Sequence, residues 1–290
     1  MSACEDSKAA MSRGVSDRRV FPDDLSEGFR KLGLSEGESV VLHVSLEAVG
    51  DVDGGAAMII HRLLRAIGKK GTILAPTFTS VTRHSSMHDD YTKVGCWCGG
   101  QENRHLPFIP ELQPDKEIGA VAHRLCSWPA SRRSTHPAYS FAAVGEHVDE
   151  LVRESAPLDP LLPLRKLLKH NPKVLTIGVE FEAVTAIHLA VERKTPAKFR
   201  RERALAISSK GPVWVDVLAL GCAHGFGKVK PRMGREEFKE TRIGFANAGL
   251  YSLKGVVEQA EALLDENGSA LSCGNVECLS CTRDQISDVS

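Results

Sequence analysis

The chain has no apolar run that approaches the roughly 20 residues needed to span a bilayer. Its opening, MSACEDSKAAMSRGVSDRR, lacks the apolar core of a signal peptide. These absences predict a cytoplasmic protein with no membrane partner. Charge excess is missing too, since Lys and Arg number 37 and Asp and Glu number 37. A balanced chain argues against a nucleic acid partner and against a disordered solvating chain, so any charge selectivity must be local. Neither a Walker phosphate loop nor a GxGxxG fingerprint is present, and no internal repeat or clean linker divides the sequence.

What is present is 290 residues with 42% hydrophobic and 26% charged side chains. That is enough to bury a sizeable core in one large α/β domain or two smaller ones. Eight cysteines occur, namely Cys4, Cys96, Cys98, Cys126, Cys222, Cys273, Cys278 and Cys281. In a reducing compartment they read as free thiols or metal ligands rather than as a disulfide framework.

Residues 1–20 are small, polar and without periodicity, and read as a mobile leader. FPDDLSEGFRKLGL has helical spacing and leads to a buried strand at Val40, Val41 and Leu42. Gly54 and Gly55 open the amphipathic segment GGAAMIIHRLLRAIG, which closes at Gly68 before the strand TILAPTF. Such strand, helix, strand units predict an α/β fold of three layers, with a central, mostly parallel sheet flanked by helices. Residues 80–115 break the rhythm and form a long insertion loop. Helices are expected over KEIGAVAHRLCSW and PLRKLLKHN, with strands at KVLTIGV and GPVWVDVLAL. A strand end passing into a helix is expected over SFAAVGEHVDELV, and one long amphipathic helix over AGLYSLKGVVEQAEALLDE. The expected organisation is a leader over 1–20, one domain over 21–268, and a cysteine-bearing tail over 269–290.

Three constellations carry chemistry. In LHVSLEAVGDVDGG a buried strand ends at His43 and Ser45 before a glycine pair, a junction whose free backbone N–H groups suit a phosphate or a developing oxyanion. In SRRSTHPAYS the guanidinium groups of Arg132 and Arg133 stand beside Ser134 and His136, and arginine forks match phosphate oxygens. In GVEFEAVTAIHLAVER a single histidine, His188, lies in an apolar segment near Glu180, Glu182 and Glu192. An imidazole held there titrates near neutrality and can be oriented by a carboxylate, as a general base for a protonated amine requires.

These segments and others stand in one order: LHVSLEAVG, GTILAPTFT, PFIPELQPDKEIGAVAHRL, RRSTHPAYSFAAVG, SAPLDPLLPLRKLL, KVLTIGVEFEAVTAIHLA, GCAHGFGKV and TRIGFANAGL. In that order, over roughly residues 38–250, the chain resembles the aminoglycoside 3-N-acetyltransferases, which acetylate the 3-amino group of aminoglycosides from acetyl-coenzyme A. The resemblance implies that His188, in a T-x-x-H-L-A motif, is the catalytic base. It implies that His43, Val44, Ser45 and Leu46, with Thr77 and Phe78, line the coenzyme A arm, and that Arg133, Ser134 and His136 lie near its phosphates. Three departures stand out: Val44 where the family commonly has serine, Glu192 one place later than the family's glutamate, and Glu180 and Glu182 where glycine and aspartate are common. On a helix both spacings share the face of His188, so Glu192 can serve as the orienter, with Glu182 as the alternative. The R/Q-x-x-G-x-G/A loop of the general N-acetyltransferase superfamily is missing, which disfavours that other fold.

The expected reaction is acetyl-coenzyme A-dependent acetylation of a small-molecule amine, with His188 as base and an aminoglycoside as acceptor. A different amine metabolite, or a coenzyme A-binding relative without activity, stays open on sequence grounds. A polycationic acceptor needs an acidic site, for which Asp89, Asp90, Asp159, Glu180 and Glu182 are candidates. The C-x4-C-x2-C tail and the C-x-C of Cys96 and Cys98 could gather around zinc, yet their spacings match no standard zinc finger and no metal site is assigned. Cys222 and His224 invite a cysteine nucleophile, which a two-residue separation disfavours.

Overall fold

Short β-branched runs with both faces covered build the centre of the molecule. The structure, a computed structural model, describes residues 18–84, 105–154 and 156–282. Its main strands are β1 (Ser39–Val44), β2 (Thr72–Pro76), β3 (Arg132–Arg133), β4 (Phe141–Gly145), β5 (Lys173–Ile177), β6 (Arg200–Ser208), β7 (Gly211–Ala219), β8 (Phe238–Ile243) and β9 (Ala246–Ser252). All six residues of β1 are buried. Val40, Leu42 and Val44 enter one core and Val41 the other, as the period of two requires when both faces of a strand are covered.

Seven strands form the central sheet in the order β8-β9-β5-β1-β2-β4-β3. β1 pairs in parallel with both β2 and β5, and the four outer pairings are antiparallel. Five of the seven strands therefore run one way, with parallel pairing confined to the central three. A second sheet is the hairpin β6–β7 with Arg83–His84 paired to β6.

Helices α1 (Pro22–Leu32), α2 (Gly55–Ile67) and α3 (Ala120–Cys126) cover one face of the central sheet. Helices α4 (Val148–Val152), α5 (Leu162–Leu167), α6 (His188–Lys194) and α7 (Leu253–Glu266) cover the other. In α2 the apolar stripe is Ile59, Ile60, Leu63 and Ile67, all buried, which is the helical spacing that the sequence carries. The result is the expected three-layer α/β architecture.

Three expectations change. AGLYS does not begin a helix: Ala246–Ser252 pairs with β5 and β8, and α7 starts only at Leu253, where the Ser252 hydroxyl accepts the Gly255 N–H at 3.2 Å. Pairing on a buried strand overrides the helical spacing there, and the serine cap marks the true boundary. At the other end Arg19–Val20 pairs in parallel with Asp51–Val52 and Val20 is buried, so the fold already includes the last residues of the expected leader. The described part of the tail packs on the domain through buried Leu271 and Cys278. The insertion is described outside 85–104, so Asp89, Asp90, Cys96 and Cys98 lie outside the described residues.

Candidate active site

β1, β2 and β5 run in parallel, so their carboxyl ends reach one edge of the sheet, where ligands of open α/β sheets are commonly bound. The chain leaving each strand walls a cleft of about 1160 Å³. From β1 come His43, Val44, Ser45 and Leu46, from β2 Pro76 and Phe78, and from beyond β5 Glu180, Glu182, Thr185 and His188. The turns after β1 and β5 are locked together. The Ser45 N–H donates to the Ile177 carbonyl at 2.9 Å, and the Ser45 hydroxyl caps the one-turn helix Leu46–Val49 by accepting the Ala48 N–H at 3.3 Å. Gly178, at φ +65°, lets the turn after β5 close: a Cβ there would lie 2.4 Å from the Ala48 Cβ.

His188 is the first residue of α6 and is 5% exposed. Its ring stands edge-on to Phe226 at 4.8 Å and to Phe199 at 6.3 Å. Burial among these groups pushes its pKa down to about 3, well below the near-neutral titration expected from the sequence, so the imidazole is neutral at physiological pH. His43 behaves alike, lowered to about 4 by burial. Nδ1 of His188 and Nε2 of His43 are buried without a hydrogen-bond partner among the described residues.

The expected orienter of His188 is engaged elsewhere. Glu192 accepts from Arg165 at 2.6 Å, and the same guanidinium binds Asp159, so both carboxylates are paired with one cation outside the cleft. The one-residue shift of Glu192 along α6 turns it to α5 rather than to the imidazole. What fixes the ring is aromatic packing.

The expected phosphate group is also an internal one. Arg133 is buried, and all five N–H groups of its fork have acceptors. Nε donates to Thr77 Oγ1 at 3.1 Å and Ser140 Oγ at 2.9 Å. Nη1 donates to the carbonyls of Pro110, at 3.2 Å, and Leu112. Nη2 donates to the Thr77 carbonyl at 2.5 Å and Thr79 Oγ1 at 2.6 Å. Ser134 Oγ accepts the Phe141 N–H at 2.9 Å. His136 Nδ1 accepts the N–H groups of Ala138 and Tyr139, which leaves the proton on Nε2, 2.9 Å from the Pro157 carbonyl. None of the three lines the cleft, and Thr77 lies behind it, bonded to Arg133.

The cleft is acidic beyond the two glutamates foreseen. Glu47, Asp115, Glu117 and Glu202 join Glu180 and Glu182 on its wall, against the cations Arg83, Lys116 and Arg200. Arg83 and Arg200 each lie 3.7 Å from Glu202. Asp115 accepts the N–H and hydroxyl of Ser80 at 2.8 to 2.9 Å, and burial raises its pKa. The Glu182 carboxylate lies over Gly227, where a Cβ would come within 2.5 Å of Oε1. Glu202 and Arg200 belong to β6, a strand with no clear alternation in the sequence, and nothing local marked them as site residues.

Among the described residues no helix is long and apolar enough to cross a membrane. A family model described as aminoglycoside 3-N-acetyltransferase matches residues 41–265. Aminoglycoside N(3)-acetyltransferase IX of Micromonospora chalcea is 29% identical over 266 residues, covering 89% of this chain and 91% of that protein. The crystal structure of YokD from Bacillus subtilis superimposes with a TM-score of 0.76 at 27% identity, covering 87% of this chain and 95% of YokD. A structure titled AAC-IIIb binary with CoASH shares the fold, with a TM-score of 0.71 at 20% identity over 86% of this chain and 97% of that one. The family match spans most of the sheet and its helices, and the chain belongs to the aminoglycoside 3-N-acetyltransferase family of acyltransferases.

Proposed function

We propose that the protein transfers the acetyl group of acetyl-coenzyme A to the 3-amino group of an aminoglycoside, with His188 as general base. The observation that carries this reading is an aromatic-clamped imidazole on the wall of a large cleft rich in carboxylates. A volume of about 1160 Å³ exceeds that of ordinary small-molecule pockets, roughly 300–1,000 Å³, and suits two substrates meeting in one space. Six carboxylates against three cations favour a polycationic acceptor. The solved structure with CoASH supports coenzyme A as the donor's carrier on this fold.

The chemistry follows from the acceptor. An ammonium group must lose its proton before its nitrogen lone pair can attack the thioester carbonyl carbon. His188 takes that proton, the C–N bond forms, the C–S bond breaks, and coenzyme A leaves as a thiolate that is then protonated. Glu180 and Glu182 share the cleft wall with His188 and favour a cationic acceptor there. The Ser45 N–H is committed to Ile177, so it is not an oxyanion donor in this arrangement. With Arg133 held inside and Arg83 and Arg200 both beside Glu202, Lys116 is the wall cation best suited to contact coenzyme A phosphates. The cytoplasm, where donor and reducing conditions coincide, suits cysteines that serve as thiols or metal ligands rather than as a disulfide framework.

The test is thiol release from acetyl-coenzyme A against a panel of aminoglycosides, with the product's added acetyl group located by NMR. Acetylation at the 3-amino group, with a Michaelis constant that rises with salt, is the expected result. Coenzyme A binding without release for any aminoglycoside would move the acceptor to another amine.

A further inference from the structure

Beyond α7 the chain turns back toward the cleft and brings three cysteines to a fourth. Cys273, Cys278 and Cys281 come from the tail and Cys222 from the turn after β7, and their four sulfur atoms all lie within 4.8 Å of one another. We infer that these four cysteines form a structural zinc site that pins the tail to the wall of the cleft.

The geometry fits the ion. Tetrahedral Zn–S bonds of about 2.3 Å place sulfurs about 3.8 Å apart, so a small contraction of the observed cluster completes the site. Four sulfur donors with no carboxylate among them select zinc over magnesium or calcium. The backbone is arranged around the sulfurs as well. Cys278 N–H donates to the Asn275 carbonyl at 3.1 Å and Cys281 N–H to the Cys278 carbonyl at 2.8 Å, two tight turns that bring Cys278 and Cys281 to one side. The Cys273 N–H points at Cys281 Sγ at 3.4 Å, a bond that steadies a thiolate.

Cations border the cluster. Lys228 Nζ donates to the carbonyls of Ala270 and Ser272, both at 2.9 Å, and Lys198 Nζ to Ser272 Oγ at 3.3 Å. A zinc tetrathiolate carries a net double negative charge, which such lysines offset. Cys96 and Cys98, the partners suggested by spacing alone, are not needed, because Cys222 completes the set.

The site has a structural consequence. Cys222, Ala223 and His224 line the cleft, and Phe226, two residues on, packs against His188. Tail and turn already touch closely, since a Cβ at Gly225 would lie 2.2 Å from the Leu271 carbonyl oxygen. Metal at the four sulfurs ties the turn that carries Phe226 to the tail.

The experiment is metal analysis of the purified full chain, dialysed without chelator, beside Cys278→Ser and a surface control, His170→Ala. His170 belongs to a partly exposed His147, Glu150 and His170 group that offers an adventitious site. The expected result is about one equivalent of zinc in the wild type and in His170→Ala, and less than about a tenth in Cys278→Ser. Should Cys278→Ser fail to fold, the wild type answers alone: cobalt substitution gives the charge-transfer absorption of a tetrathiolate, and a thiol reagent releases the metal as the cysteines react. Less than about a tenth of an equivalent of zinc in the wild type, iron in its place, disulfides by mass spectrometry, or loss of the metal in His170→Ala but not Cys278→Ser would overturn the assignment.

Discussion

The ring of Phe226 stands edge-on to the imidazole of His188, with centroids 4.8 Å apart and planes inclined by 70°. Because Nδ1 has no hydrogen-bond partner among the described residues and Glu192 is bound to Arg165, this packing takes the place of the carboxylate orienter expected from the sequence. Phe226→Leu keeps an apolar contact but loses the flat edge. It should lower kcat by about ten- to a hundredfold with little change in KM, since misplacing a reacting group by about 1 Å costs up to about a hundredfold in rate. Steady-state kinetics beside a urea unfolding curve checks this. A change in KM alone would place Phe226 in substrate binding.

Three buried histidines make stability fall in acid. His188 is lowered to about 3 and His43 and His136 to about 4, in each case chiefly by burial. Their folded pKa values lie below the unfolded value near 6.5, so between these limits the unfolded chain binds more protons. The stabilisation is therefore complete above about pH 6.5 and is lost as the pH falls toward 4. At about pH 5 each histidine should withdraw about 2 kcal/mol relative to neutral pH. Urea midpoints measured at about pH 7.5 and 5 should differ clearly, and equal midpoints would contradict the buried, neutral assignment.

Arg133 should act on stability rather than on the donor. Lysine cannot reproduce a fork whose five N–H groups bond to Thr77, Thr79, Pro110, Leu112 and Ser140. Arg133→Lys should cost about 3 kcal/mol while leaving KM for acetyl-coenzyme A within about twofold. Unchanged stability with KM raised tenfold would put the guanidinium on the coenzyme's phosphates instead.

Much of the site was legible because local patterns and tertiary demands agreed. The apolar run of β1 could only be a strand covered on both faces, and its end had to present His43 and Ser45 at an edge. His188 stood out as the one imidazole in the apolar segment that becomes α6. Hydrogen-bond partners were not legible. A cluster of Arg133, Ser134 and His136 looks the same in sequence whether it faces a phosphate or closes a buried network, and only the arrival of Thr77, Ser140 and Pro157 decides. Glu202 was invisible as a site residue, and Cys222 was readable only as a nucleophile candidate beside His224, for a related reason: their partners are far along the chain, Arg83 for one and the tail cysteines for the other.

The most direct measurement is the rate of thiol release from acetyl-coenzyme A with an accepted aminoglycoside for wild type and His188→Ala, with folding of both followed by circular dichroism. A loss of roughly 10²- to 10⁴-fold in kcat with the fold intact is expected for removal of a general base. Near-normal turnover in a folded His188→Ala would contradict the account.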